Sequence, residues 1–175
     1  MNEFVACTAG KYCAAGTSVE ADCATSGTLG YYCPQGTPER IACDAGYYCD
    51  LTTMGAVDTG KTCSAGYYCL SAASSATPTD GTTGAICPAG HYCLATSSGP
   101  IPCPVNTFRA GTGGTVELDA TNGCTTCTGG QQCNARGLTA ETGTEVICDA
   151  GFYCVDATSS VACGRGYYCP ANSRA

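Results

Sequence analysis

A short cysteine-bounded segment, Cys-x-x-Gly-aromatic-Tyr-Cys, recurs along the chain and constrains its fold more than any other feature. It occurs as CTAGKYC, CDAGYYC, CSAGYYC and CPAGHYC, and again as CTGGQQC, CDAGFYC and CGRGYYC. One further copy is stretched before its glycine, and another, CPVNTFR, has arginine in place of the second cysteine. We number the repeats 1 to 9 along the chain; they span 7–13, 23–33, 43–49, 63–69, 87–93, 103–109, 127–133, 148–154 and 163–169.

Cysteine takes the place that apolar side chains have in an ordinary core. The 175 residues include 18 cysteines, whereas Leu, Ile, Val and Phe together make up 12% of the chain. Ordering a chain costs about 1.5 kcal/mol per residue, which so few apolar side chains cannot offset. Composition therefore predicts a disulfide scaffold. We predict a small disulfide-rich fold, an elongated, solenoid-like array of about nine short cysteine-stapled repeats with loops, short β-strands and little or no helix.

The glycine at the middle of the repeat has a geometric reason. Two cysteines can be bridged only when their Cα atoms lie about 4.4–6.8 Å apart. The five residues between them must therefore reverse direction, and glycine supplies the positive φ that a tight reversal needs. In repeat 6 the residue at this place is Asn106, the type that tolerates this conformation next best.

Two disulfide schemes are compatible with the spacing. In the first, neighbouring cysteines pair in chain order, which uses all 18 and explains why repeat 6, lacking its second cysteine, is followed by Cys124. In the second, each repeat is joined to the next, which leaves Cys7 and Cys169 for bridges to other chains. We favour the first. Both assign a disulfide role to Cys7, Cys13, Cys23, Cys33, Cys43, Cys49, Cys63, Cys69, Cys87, Cys93, Cys103, Cys124, Cys127, Cys133, Cys148, Cys154, Cys163 and Cys169.

The tyrosines also follow the repeat, because all 11 lie in the two positions before a repeat's second cysteine. Successive side chains of a strand face opposite sides, so one ring can cover its own disulfide while the other contacts the adjacent repeat. This predicts a quasi-linear stack with contacts only between nearest neighbours. We assign the packing between repeats to Tyr12, Tyr32, Tyr48, Tyr68, Tyr92, Phe108, Tyr153 and Tyr168.

The spacers between repeats are rich in Ser and Thr, with Pro among them, a composition typical of O-glycosylated stalks. Unmodified spacers explain the composition equally well, and no Asn-x-Ser/Thr sequon occurs. The candidate O-glycosylation sites are Ser74, Ser75, Thr77, Thr79, Thr82, Thr83, Ser97 and Ser98.

Several classes of function are disfavoured. A net charge of −7 without a basic patch disfavours nucleic-acid binding, and no stretch reads as a membrane-inserted segment. The single histidine, His91, occupies a tyrosine slot, and the one Cys-x-x-Cys, at 124–127, lacks a surrounding redox fold. The oxygen donors of 119–122 favour a turn over a calcium loop. We predict no enzymatic activity, no metal and no cofactor.

The repeats suggest three regions. Residues 1–102 carry five repeats, 103–127 form an irregular repeat, and 127–175 carry three more and end within a repeat. Six residues precede Cys7 and six follow Cys169, which together make a spacer of ordinary length. The start lacks the pattern of a signal peptide. We therefore expect a mature or excised part of a longer array, or a subunit that continues head to tail.

The units CPAGHYC, CDAGYYC and CGRGYYCPANS resemble the ephrin-receptor-like cysteine-rich repeats of protist and algal surface proteins. The segment 103–127 is similar to that pattern most clearly. The resemblance implies a Cys103–Cys124 bridge, and an extracellular, elongated module loosely related to tumour-necrosis-factor-receptor and EGF-like repeats. It implies no catalytic residues. CTGGQQC, without the aromatic residues, departs from the pattern.

These observations lead to two functional hypotheses. The first is an extracellular or cell-surface structural protein, part of a filament or coat, that associates with other copies head to tail or laterally and carries glycans. The alternative is a ligand-binding or adhesive ectodomain module of a surface receptor. The alternative draws on the irregular region 103–147, where Arg109 and Arg136 appear and the tyrosine pair is missing.

Overall fold

The structure is a computed structural model that describes residues 5–25, 27–119, 121–127, 133, 135–141, 149–155, 160–171 and 173–174. Among these residues there is no helix, and the regular structure consists of strands of two or three residues and tight turns. The prediction of a small disulfide-rich fold with short strands is confirmed. Cys148 and the glutamines of CTGGQQC lie outside the described residues.

The strands are short, and each of them, except the one that follows Cys169, lies at a repeat's two aromatic positions or just before the next cysteine. They are β1 (Lys11–Tyr12), β2 (Ala21–Asp22), β3 (Tyr31–Tyr32), β4 (Ile41–Ala42), β5 (Tyr67–Cys69), β6 (Gly84–Ile86), β7 (His91–Tyr92), β8 (Ile101–Pro102), β9 (Thr107–Phe108), β10 (Thr125–Thr126), β11 (Phe152–Cys154), β12 (Ser160–Ala162) and β13 (Ser173–Arg174).

Each aromatic strand pairs with the residues just before the next repeat. The antiparallel pairs are β1–β2, β3–β4, β5–β6, β7–β8, β9–β10 and β11–β12, and β13 adds to β11 in parallel. The register is constant: the second aromatic position faces the residue two before the next cysteine. Tyr32 is thus paired with Ile41, and Tyr92 with Ile101.

The chain divides into two compact units, Met1–Ile86 with Leu94–Gly99, and Cys87–Cys93 with Pro100–Ala175. In each unit the core is built on disulfides. The first contains a cluster of Cys43, Cys49 and Met54, and another of Cys63, Cys69 and Ala73. The second contains a cluster of Tyr92, Cys103 and Cys124.

The disulfides described in the structure join neighbouring cysteines in chain order, as the first scheme predicts. Their Cα atoms lie 5.7 to 6.5 Å apart. Eleven of the cysteine side chains are less than 2% exposed. Cys154 is also disulfide-bonded. The described bridges are 7–13, 23–33, 43–49, 63–69, 87–93, 103–124, 127–133 and 163–169.

The reversal at the middle of the repeat has the predicted conformation. Asn106 has a φ of 67°, so asparagine does take the place of glycine in repeat 6. The central glycines with positive φ, among the described residues, are Gly10, Gly30, Gly46, Gly66, Gly90, Gly151 and Gly166.

Candidate functional site

The most regular feature of the structure is the backbone contact between consecutive repeats, which we call the junction. It begins at the central glycine of a repeat. Gly10 donates its N–H to the carbonyl of Cys33 (2.8 Å), and its own carbonyl accepts the N–H of Cys23 (3.1 Å). The glycine of repeat 1 therefore bonds to both cysteines of repeat 2. Equivalent pairs of bonds are made in the described part of the chain by Gly30, Gly46, Gly90, Asn106 and Gly151.

The spacer turn after the second repeat completes the junction. Gly36 donates its N–H to the carbonyl of Cys7 (2.9 Å), and Cys13 donates its N–H to the carbonyl of Thr37 (3.1 Å). The turn after repeat 2 thus caps the disulfide of repeat 1. All four bonds recur, with equivalent partners, between repeats 3 and 4, 5 and 6, and 6 and 7.

The turn residue whose N–H bonds to the carbonyl of the preceding repeat's first cysteine has positive φ. The sequence analysis did not predict this feature. Gly36 and Gly137 satisfy it easily, but Ala72 has a φ of 64° and Thr96 a φ of 66°. Because alanine and threonine occupy this position in some repeats, residue type does not mark it in all of them. The signal available in the sequence was a glycine three residues after a cysteine, as at Gly16.

Contacts reach beyond the nearest repeat, which corrects the nearest-neighbour prediction. A methyl group added at Gly46, in repeat 3, would overlap the carbonyl of Thr96, in the turn after repeat 5. Gly10 stands in the same relation to Thr53. The central glycine is therefore needed for close backbone approach as well as for its φ.

Tyrosine rings cover the disulfides from two directions. Tyr47 packs against the cluster of its own disulfide, Cys43–Cys49, and Tyr32 of the preceding repeat packs against that same cluster. Tyr67 and Tyr48 have the same relation to the next disulfide. These rings replace the aliphatic side chains that the composition lacks.

The other residues assigned to packing between repeats differ in exposure. Tyr92 is 8% exposed and packs with Cys103 and Cys124 of the next repeat, which raises the pKa of its phenol through burial. Tyr168 is 89% exposed, and its packing role stays a prediction. The half-buried members of the set, each in a strand, are Tyr12, Tyr68, Phe108 and Tyr153.

Repeat 6 uses Arg109 where other repeats have their second cysteine. Its backbone makes the junction bonds of that cysteine, accepting the N–H of Gly90 and donating to the carbonyl of Leu138. Its guanidinium donates to the carbonyls of Gly123 (2.6 Å) and Thr112 (3.1 Å). The side chain thus stabilises the loop that the Cys103–Cys124 bridge closes.

Among the described residues, charged side chains form the ion pairs Lys11–Asp22 and Lys61–Asp50, and aspartates stabilise local turns. Lys61 lies 2.7 Å from a carboxylate oxygen of Asp50, and this hydrogen-bonded pair raises the pKa of the lysine. Asp80 accepts the hydroxyl and the N–H of Thr83, which lowers the pKa of its carboxyl.

Asp119, Thr121 and Asn122 are joined by the hydrogen bonds of the predicted turn. Asp119 accepts the backbone N–H groups of Asn122 (2.6 Å) and Thr121 (2.7 Å) through one carboxylate oxygen. These bonds stabilise the carboxylate and lower its pKa.

The candidate glycosylation sites differ in exposure. Ser97 is only 9% exposed, and its carbonyl accepts the N–H of Cys69 in a junction; its glycosylation stays a prediction. Thr83 is half-buried and bonded to Asp80. The exposed candidates are Ser74, Ser75, Thr77, Thr79, Thr82 and Ser98.

Two kinds of site are absent from the part of the chain that the structure describes. No cluster of three or more His, Cys, Asp or Glu side chains suited to a metal ion occurs among those residues. No described helix has the length and apolarity needed to cross a bilayer. His91 is half-buried, with its Nδ1 atom 3.0 Å from the carbonyl of Ala89.

Fold and junction together define the class: a small disulfide-rich protein of short strand pairs whose successive repeats are joined through their backbones. Comparisons with protein-family models, curated proteins and solved structures returned no match to this chain.

Proposed function

We propose that this protein is an extracellular structural protein, a subunit or segment of a filament or cell-surface coat built as a solenoid-like array of disulfide-stapled repeats. The observation that carries the proposal is the junction. The same four backbone hydrogen bonds recur between repeats 1 and 2, 3 and 4, 5 and 6, and 6 and 7, although the spacer sequences differ. An interface made of backbone groups can be extended repeat after repeat, as in other stacked-repeat proteins.

The disulfide core supports an extracellular location. Disulfides persist in oxidising compartments, and here they supply most of the buried side chains among the described residues. The exposed Ser and Thr residues of the 70–86 spacer are accessible to glycosyltransferases, and we include O-glycans on them in the proposal.

The test is electron microscopy of natively secreted, unreduced material at near-physiological salt. Filaments or sheets with an axial repeat commensurate with the repeat unit are expected. Separate particles of one chain at every concentration would contradict the proposal and favour the receptor-ectodomain alternative. A ligand search would then begin at the exposed Arg136, since the guanidinium of Arg109 is engaged with backbone carbonyls.

A further inference from the structure

The pair Asn122–Gly123 lies in the loop that the disulfide of repeat 6 closes. Asn122 is exposed, whereas Gly123 is buried. A methyl carbon added at Gly123 would lie 2.6 Å from the carbonyl oxygen of Val116 and 2.7 Å from the backbone nitrogen of Asp119. The close packing of this loop therefore requires a glycine directly after Asn122.

An asparagine followed by glycine is open to attack by its own main chain. The nucleophile is the backbone nitrogen of the glycine, which is hindered least because glycine has no Cβ and the freest backbone. The attack forms a bond between this nitrogen and Cγ of the asparagine. The side-chain nitrogen leaves as ammonia and takes the proton of the attacking N–H. Water then opens the ring at either of its two carbonyl carbons, which gives aspartate, or isoaspartate in a main chain one carbon longer.

In the folded loop the main-chain groups of this pair are hydrogen-bonded. The N–H of Gly123, which must lose its proton to react, donates to the carbonyl of Asp119 (2.9 Å). The carbonyl of Gly123 accepts from the guanidinium of Arg109 (2.6 Å). The carbonyl of Asn122 accepts the N–H of Thr115 (2.7 Å). The nitrogen can reach Cγ only when the loop opens, because the attack turns the peptide group out of these bonds.

We propose that Asn122 is a site of spontaneous deamidation, and that the hydrogen bond from Arg109 to the Gly123 carbonyl sets its rate. Arg109 is half-buried and also donates to the carbonyl of Thr112 (3.1 Å), so it joins two sides of the loop. The carboxylate of Asp119 adds to this stability by accepting the N–H of Asn122 (2.6 Å). Each opening of these bonds frees the Gly123 nitrogen, and the loss of ammonia that follows is irreversible.

The modification changes the loop that contains it. Isoaspartate lengthens the main chain before Gly123, which moves the Gly123 carbonyl away from the guanidinium of Arg109. Either product also adds a negative charge to a loop that already contains Glu117 and Asp119. The loop of repeat 6 therefore loosens with age, in one direction only. This inference is independent of the proposed function, because it concerns one loop of one copy.

The test follows the oxidised 175-residue protein during a long incubation at physiological temperature and mildly alkaline pH. Samples are reduced, alkylated and cleaved after glutamate, which releases the peptide 118–141 from the wild type and from each variant. Mass spectrometry measures the replacement of the Asn122 amide by a carboxyl group, and chromatography separates aspartate from isoaspartate. A chain reduced and alkylated before the incubation gives the rate without the folded loop.

We expect Asn122 to react at least about a hundredfold more slowly in the folded protein than in the reduced chain, since opening must precede each attack. Arg109→Met should raise the rate in the folded protein by at least about tenfold. The matched control is Arg136→Met, at an exposed arginine, which should leave the rate unchanged. Equal rates in the folded and reduced chains would overturn the proposal, as would equal rates in the two arginine variants.

Hydrogen exchange on the wild type keeps the proposal testable if Arg109→Met fails to fold. Exchange and attack both begin with loss of the Gly123 amide proton, so exchange at this amide should be slowed by about the same factor as deamidation. The amide of Gly111, an exposed glycine of the same loop, is the control and should exchange far faster. A Gly123 amide that exchanges as fast as that of Gly111 would refute the proposal.

Discussion

Left-handed backbone conformations are the residue-scale feature that allows the repeats to approach one another. At the repeat centre the residue is glycine or Asn106, the types that adopt positive φ at little cost. In the spacer turns, Ala72 and Thr96 also have positive φ. A β-branched residue with positive φ is strained, and Thr96 is held in place by the hydrogen bond from its N–H to the carbonyl of Cys63 in repeat 4.

Thr96→Gly is predicted to stabilise the protein. Relief of the strain at a φ of 66° outweighs the greater freedom of glycine in the unfolded chain, and we expect a gain of about 1 kcal/mol. The measurement is denaturant unfolding of the oxidised protein. The control is Thr79→Gly, at an exposed spacer residue without positive φ; equal effects of the two substitutions would refute the strain argument.

Asp119 is predicted to make stability depend on acid pH. Its folded pKa is lowered below the ordinary 3.8 by the N–H groups of Asn122 and Thr121. A lowered folded pKa means that the contribution is fully present above 3.8 and is lost as the pH falls through the folded value. The stability difference between the wild type and Asp119→Asn should therefore shrink on acidification. A difference that is constant from neutral to strongly acid pH would contradict this, and exposed Glu39→Gln is the control.

At the scale of the element, the unit of construction is a strand pair joined to a stapled loop. The aromatic strand of one repeat pairs with the residues before the next cysteine, so backbone hydrogen bonds lie next to the disulfides. Repeat 6 departs from this arrangement. Its disulfide closes a longer loop, and the guanidinium of Arg109 donates a hydrogen bond to a carbonyl of that loop.

Arg109→Met is predicted to destabilise that loop. The substitution keeps the aliphatic stem but removes the donors to the carbonyls of Gly123 and Thr112. Hydrogen bonds to charged groups contribute about 1.5–3 kcal/mol each when buried, and we expect a loss of about 2 kcal/mol for this half-buried group. Chemical denaturation measures it. Arg136→Met, at an exposed arginine, should change stability by less than about 0.5 kcal/mol.

Tryptic mapping without reduction tests the pairing of the elements. Cleavage after Arg40 and Lys61 releases the peptide 41–61, which contains Cys43 and Cys49. We expect to recover this peptide without a link to any other peptide. Its mass should be lower than that of its reduced form by one hydrogen molecule, because the two cysteines are bridged to each other. Recovery of the peptide linked to 62–109, as a Cys49–Cys63 bridge requires, would refute the structure's pairing.

The stability of the whole molecule depends on the disulfides, because cysteines supply most of the buried side chains among the described residues. Within the described residues the clusters contain cystine with a few tyrosines, Met54 and Ala73, and no separate aliphatic core. A seven-residue loop closed by a disulfide contributes about 2.4 kcal/mol through the unfolded state, and packing against the sulfur atoms adds to it.

Reduction is therefore predicted to unfold the protein completely. We expect reduction and alkylation at neutral pH to abolish the circular-dichroism signature and the resistance to proteolysis together. The control is the same alkylation treatment without reductant. A reduced chain that kept its spectrum and its protease resistance would show that a core other than the disulfides holds the fold.

The sequence by itself determined the local features. Cysteine spacing made the stapled repeat recognisable, favoured pairing in chain order, and placed positive φ at the repeat centre, since these depend on residues within one short loop. The aromatic pairs were visible as well, although the residues with which they pair were not.

Tertiary structure decided how one repeat holds the next. The junction consists of N–H and carbonyl groups, which every non-proline residue carries, so no side-chain pattern reveals which of them meet. For the same reason the burial of Ser97 and the positive φ of Thr96 were hidden, because both arise from a turn folding back on the preceding repeat's disulfide. Arg109 was visible as a missing cysteine, but only the folded loop brings the carbonyls of Gly123 and Thr112 to its guanidinium.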